Sequence, residues 1–180
     1  LGDVYKRQVN VKVFETGSYS TEDIHMATGA DALNEATILA KKGRRVQLET
    51  VIGQDDAGKF IQAHCDDAGI MVRDACIKKD EKTGMNIVLV EQDGTRSFLT
   101  NPHGTLRSLK VEHIQMPFPE SAKIVCFASI FVFPKIGPDK LVQIFSQAKM
   151  QGKIVCADMT KRKKGETLED ICLLYTSDAA

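Results

Sequence analysis

An α/β layer sandwich carrying a small antiparallel appendage is the architecture encoded by this chain of 180 residues. Three patterns predict it. Short apolar runs of strand length alternate with segments whose apolar residues recur at helical spacing. Two of those runs, KIVCFAS at 123–129 and KIVCAD at 153–158, are apolar almost throughout, as strands covered on both faces are. Finally, Gln92-Asp93-Gly94-Thr95 joins two alternating stretches as a hairpin turn does.

Each element follows in order. A helix is expected over 31–42, entered through Thr28-Gly29-Ala30. Residues 46–52 (VQLETVI) read as one strand, ended by Gly53. Segment 57–68 sets Phe60, Ile61, His64, Cys65 and Ala68 on one helical face, and Gly69 supplies the stop. Residues 71–77 form the next strand; 84–91 and 96–100 are the hairpin arms, followed by a loop at 101–104. After the strand at 123–129, a helix at 138–150 buries Leu141, Val142, Phe145 and Ala148 and leads into 153–158. Such strand–helix–strand units imply right-handed crossovers.

Composition narrows the function. Lys and Arg number 24, Asp and Glu 24, so the chain lacks the basic excess of an electrostatic nucleic-acid binder. No apolar run approaches membrane-spanning length and nothing near Leu1 reads as a secretory signal, so a soluble, cytoplasmic protein is expected. The five cysteines are odd in number and form no C-x-x-C pair, arguing against a disulfide framework or a zinc site. Cys126 and Cys156, inside apolar runs, are expected to be small core residues. The four histidines have no metal-binding spacing, and the commonest dinucleotide, P-loop and hydrolase signatures are absent. The terminal strings LGDVYKRQ (1–8) and CLLYTSDAA (172–180) fit poorly with their neighbours. They read as translated sequencing-adapter sequence, leaving 9–171 as the expected native segment.

In sheets of this kind ligands bind beyond the carboxyl ends of the strands. Three places qualify. In Thr28-Gly29-Ala30-Asp31-Ala32-Leu33-Asn34, Asp31 and Asn34 lie one turn apart at a helix start, where a carboxylate and an amide can hold vicinal hydroxyls. Ordinary N-capping by Asp31 accounts for the same residues. Gly53-Gln54-Asp55-Asp56-Ala57-Gly58 is a strand-to-helix turn with Asp56 as the expected N-cap, and a structural role explains it best. Asp158 closes a strand with Arg162 nearby, a pairing suited to a polar or phosphorylated ligand.

Together these motifs resemble the N-terminal part of a PfkB-family (ribokinase-like) carbohydrate kinase. Gly29-Ala30-Asp31-Ala32-Leu33-Asn34 resembles the family's Gly-Gly…Asn signature, and Gly53–Gly58 is similar to its G-x-D-x-x-G pattern. Thr83-Gly84, the hairpin with Arg96, the small-residue loop at 101–105 and Asp158-Met159-Thr160-Lys161-Arg162 (similar to D-x-N-x-R) extend the match over 14–171. The resemblance implies a three-layer α/β/α Rossmann-like core with a β-lid, formed here by residues near 12–28 and 84–100, and truncated at its C-terminus. It implies transfer of the ATP γ-phosphoryl group to a sugar hydroxyl, with magnesium, and in many members dimerisation through the lid. By position, Gly29, Asp31 and Asn34 would contact the sugar; Arg96, Asp158 and Arg162 would lie near the substrate or its phosphates. A nucleoside kinase of the same fold and a non-catalytic Rossmann-like binding module are the alternative readings.

The departures limit what this chain can do alone. Ala30 replaces the second glycine, with a mild effect expected. The early strand bearing the family's first sugar-binding Asp is missing, since only Val9–Val13 precedes the lid. The G-A-G-D segment, with its catalytic base and anion hole, and the N-x-x-E magnesium motif do not occur. No catalytic or metal-binding residue is therefore assigned here. ATP and magnesium belong to the full-length parent, are not expected to bind this chain well, and the chain is expected to be inactive.

Overall fold

The computed structural model describes residues 23–91, 93–101, 103–130 and 132–159. The two terminal strings, residues 9–13, the lid residues up to 22 and Arg162 lie outside the described residues. The first described helix, α1 (Asp31–Lys41), leads into β1 (Val46–Leu48) and β2 (Ile52–Gly53). Helix α2 (Asp56–Ala68) and β3 (Ile70–Val72) follow, then a 3₁₀ turn at Asp74–Cys76 and β4 (Ile77–Lys78). The hairpin is β5 (Asn86–Val90) and β6 (Arg96–Thr100). Two 3₁₀ turns, Thr105–Arg107 and Val111–His113, precede β7 (Ile124–Ile130), α3 (Pro138–Met150) and β8 (Ile154–Met159). Strands β1 and β3, β2 and β4, and β7 and β8 pair in parallel, while β5 and β6 pair antiparallel.

Two apolar cores hold these pieces. Leu33 and Ala36 of α1 pack with Cys65 of α2 and with Leu48 and Ile70 of β1 and β3. The second core sets Leu141, Ile144, Phe145 and Ala148 of α3 against β7 and the segment 109–118. There Phe127 meets Phe133 and Phe145 edge to face, with ring centroids 5.7 and 6.2 Å apart. The fourth residue of the α3 stripe is thus Ile144; Val142, expected there, is only partly buried.

Two expected strands are each broken. The run 46–52 splits because Glu49 leaves the ladder to hold Arg73, whose Nε donates to Glu49 Oε1 at 2.9 Å. The same guanidinium donates to the His113 carbonyl at 2.7 Å, tying the end of β3 to the 111–115 segment. Beyond this node the chain pairs afresh, Ile52 with Ile77, so 71–77 is divided as well. Helix α2 ends as expected, with Gly69 at φ 71 supplying the left-handed cap.

The larger correction concerns β7 and β8, which are not covered on both faces along their whole length. Their odd-numbered residues, Val125, Phe127, Val155 and Ala157, join the α3 core. On the opposite face Ile124 and Ile154 remain 55% and 61% exposed. Cys126 and Cys156 are likewise exposed rather than core residues. Helix α1 packs against β7, where Ala128 is buried, but Ile124, Cys126, Ile154 and Cys156 of that face stay exposed, so an apolar run reports strand identity without reporting what packs on it.

Candidate functional site

At the Gly53–Gly58 turn the Asp55 carboxylate is fully engaged. Asp55, not Asp56, is the N-cap of α2. Its Oδ1 accepts from Gly58 N at 3.0 Å and from the Thr83 hydroxyl at 2.5 Å, and its Oδ2 accepts from Thr83 N at 3.0 Å. The Thr83 oxygen in turn accepts from Gly53 N at 2.9 Å. Desolvation works upward on the Asp55 pKa, but these donors, Thr83 foremost, outweigh it and hold the carboxyl below its ordinary range. A Cβ on Gly58 would lie 1.9 Å from the Gly53 carbonyl oxygen, and one on Gly53 would lie 2.3 Å from that of Glu81. The glycines of this motif are required by close approach, as the structural reading of the turn expects.

The mouth at the start of α1 is built differently. Ala30 precedes the helix at φ 84, ψ 146, and no side chain caps it. Asp31 is therefore the first helical residue and not the N-cap, which removes the capping explanation for it. One of its carboxylate oxygens instead accepts from the hydroxyl of Ser129. The backbone N–H of Ser129 donates to Asp158 Oδ1. Ser129 sits at φ 56, where the β7–β8 register shifts between Phe127 and Ile130. Such an irregularity re-aims a side chain and takes its N–H out of the ladder. Buried Ser129 thereby joins the α1 turn to the end of β8.

Three carboxylates crowd this mouth. Glu35, one turn into α1, has its pKa raised by desolvation first and then by the negative charges of Asp158 and Asp31. Asp31 and Asp158 thus meet around Ser129, while Asn34 is exposed on the first turn of α1 and Gly29 is half-buried before it. Arg96 is elsewhere, exposed at the turn end of the hairpin opposite Val90. Ser129 escaped the sequence reading; its only signal is a hydroxyl residue near the carboxyl end of an apolar strand. At the base of the hairpin, Thr100, Asn101, Gly104, Leu106 and Arg107 line a hollow of about 250 Å³. Among the described residues no cluster of three or more His, Cys, Asp or Glu could hold a metal ion. No described helix is long and apolar enough to cross a membrane.

The profile of the pfkB family carbohydrate kinases matches residues 2–177. The chain belongs to that family. A fructokinase from Xylella fastidiosa shares 25% identity at a TM-score of 0.65, aligning 83% of this chain with 47% of its own. A structure of fructokinase with bound ATP from the same organism gives 24% identity and a TM-score of 0.67, over 95% of this chain and 54% of that one. A putative ribokinase II from E. coli matches at 20% identity and a TM-score of 0.67, over 83% and 49% respectively. The fold is the ribokinase-like α/β fold, and the chain spans about half the length of these structures.

Proposed function

We propose that these residues are the sugar-gripping part of an ATP-dependent kinase that phosphorylates a neutral sugar. The observation that supports this most is the joining of the Gly29–Asn34 turn to the end of β8 through Ser129. It brings acceptors from two distant elements to one mouth. A carboxylate only accepts hydrogen bonds, so Asp31 and Asp158 suit the hydroxyls of a polyol. In the same reading Asn34 adds a donor and an acceptor, and Gly29 leaves room for the ring. The crowding that raises the Glu35 pKa would repel a substrate that is already phosphorylated. Arg96, together with Arg162 beyond the described residues, is the proposed cationic contributor. The family's other uses of the fold, including nucleoside phosphorylation, are decided by the substrate panel below.

ATP and magnesium are assigned to the longer parent. The residues at hand do not fit them: the sequence has no G-A-G-D or N-x-x-E segment, and the described mouth is acidic where a triphosphate would need cations. No proton transfer or phosphoryl step is therefore assigned to this chain, which we expect to be inactive and, in its parent, cytoplasmic. The exposed Ile87, Phe98 and Leu99 of the hairpin support dimerisation of the parent through its lid.

The test is a phosphorylation assay with ATP, magnesium and a panel of neutral hexoses, pentoses and nucleosides. The gene extended by the family's remaining half should turn over a neutral sugar, and the 180-residue chain should turn over none. In the extended enzyme Asp31→Ala should raise KM about tenfold or more, the cost of losing a charged hydrogen bond. Turnover by the short chain, or a nucleoside as the accepted substrate, would overturn the proposal.

A further inference from the structure

Cys126 and Cys156 are direct partners in the parallel β7–β8 ladder. Side chains at paired positions of neighbouring strands stand on the same face. Adjacent strands run about 4.8 Å apart, inside the Cα separation of about 4.4 to 6.8 Å that a disulfide spans. Both residues are exposed and share a face with the exposed Ile124 and Ile154, so a small reagent can reach them. Cys65 and Cys76, by contrast, are buried at 1% and 0% exposure and offer no competing thiol.

We propose that Cys126 and Cys156 are a redox-closing thiol pair that forms a cross-strand disulfide by exchange with a low-molecular-weight disulfide of the oxidised-glutathione class. One cysteine thiolate attacks a sulfur of that disulfide, forming a mixed disulfide and expelling one small thiolate. The second cysteine thiolate then attacks the protein-side sulfur and expels the other. The protein loses two electrons and two protons; the reagent gains the electrons, and its two thiolates take up the protons. The resulting bond would clamp β7 to β8 two residues before Asp158 and three before Ser129.

The local charges set its rate. Although Cys126 is exposed as a residue, desolvation first, and then Cys156 and Asp158 on β8 and Glu35 on α1, push its thiol up to about 11. Its thiolate is scarce at neutral pH, so the step that uses Cys126 is slow and quickens by about tenfold per pH unit.

The experiment incubates the full chain with oxidised glutathione at pH 7 and pH 9, blocks residual thiols by alkylation, and maps the digest by mass spectrometry. The expected product is a linked pair of peptides containing Cys126 and Cys156, forming faster at pH 9. Cys126→Ser and Cys156→Ser should each abolish the link and leave one glutathione adduct on the remaining partner. Separate adducts on both cysteines without a link, no reaction at either position, or a link running through Cys172 would each overturn the proposal. The wild-type digest decides the matter even if a serine variant misfolds.

Discussion

Asp55 and Asp31 are both aspartates at the start of a helix, and the chain uses them in opposite ways. Asp55 is saturated by donors from Gly58 and Thr83, with glycines fitted so tightly that no side chain could replace them. Asp31 starts its helix behind an uncapped alanine at positive φ, shares Ser129 with Asp158, and lies beside a third carboxylate. The first corner has its hydrogen bonds closed within itself. The second holds two non-glycine residues, Ala30 and Ser129, in left-handed backbone, and gathers like charges that repel. Strain and repulsion of that kind persist only where surrounding structure enforces them, and they concentrate at sites that bind or react. The comparison explains why the better-patterned motif is a brace while the less regular one is the candidate site.

The largest expected effect comes from breaking the brace. Gly58→Ala should destabilise the chain by about 3 kcal/mol or more, because the gain in helix propensity cannot offset a methyl group driven into the Gly53 carbonyl. Urea unfolding would measure it, and an unchanged midpoint would show that the corner can yield. At the mouth the sign reverses. Ala30→Gly should stabilise by about 1 kcal/mol, since glycine adopts φ 84, ψ 146 without the penalty a Cβ brings. That corresponds to a rise in Tm of about 2–4 °C for a chain of this size. The mild effect expected from the sequence considered only the added methyl; the backbone conformation is the larger cost.

The smallest effect is a pH signature at Glu35. Its folded pKa is raised, so the carboxyl contributes stability below the ordinary value of 4.5 and loses it as pH climbs through the higher folded value. Glu35→Gln, which cannot ionise, should therefore raise Tm at pH 7 and leave it nearly unchanged at pH 4. An equal shift at both pH values would mean that the mouth is not electrostatically crowded.

Much of the architecture was legible because its causes are local. The ends of α3 at Pro138 and Met150, the Gly69 stop and the hairpin arms follow from caps, turn residues and spacing within a few positions of one another. The places where the reading failed have distant causes. The strand at 46–52 breaks because Glu49 meets Arg73, 24 residues on. The two apolar runs at 123–129 and 153–158 were strands, but pattern alone could not say that part of one face of each would stay open.

By itself, then, the sequence determined which stretches become helix, strand and turn. Backbone sterics and short-range hydrogen bonds act within a single segment, so they are written wherever that segment is written. Only the packed molecule decided that Asp31 would meet Ser129, 98 positions away, and that Cys126 would face Cys156 in the open. Those meetings depend on how strands register and which faces helices cover, and such choices are made by the whole core at once.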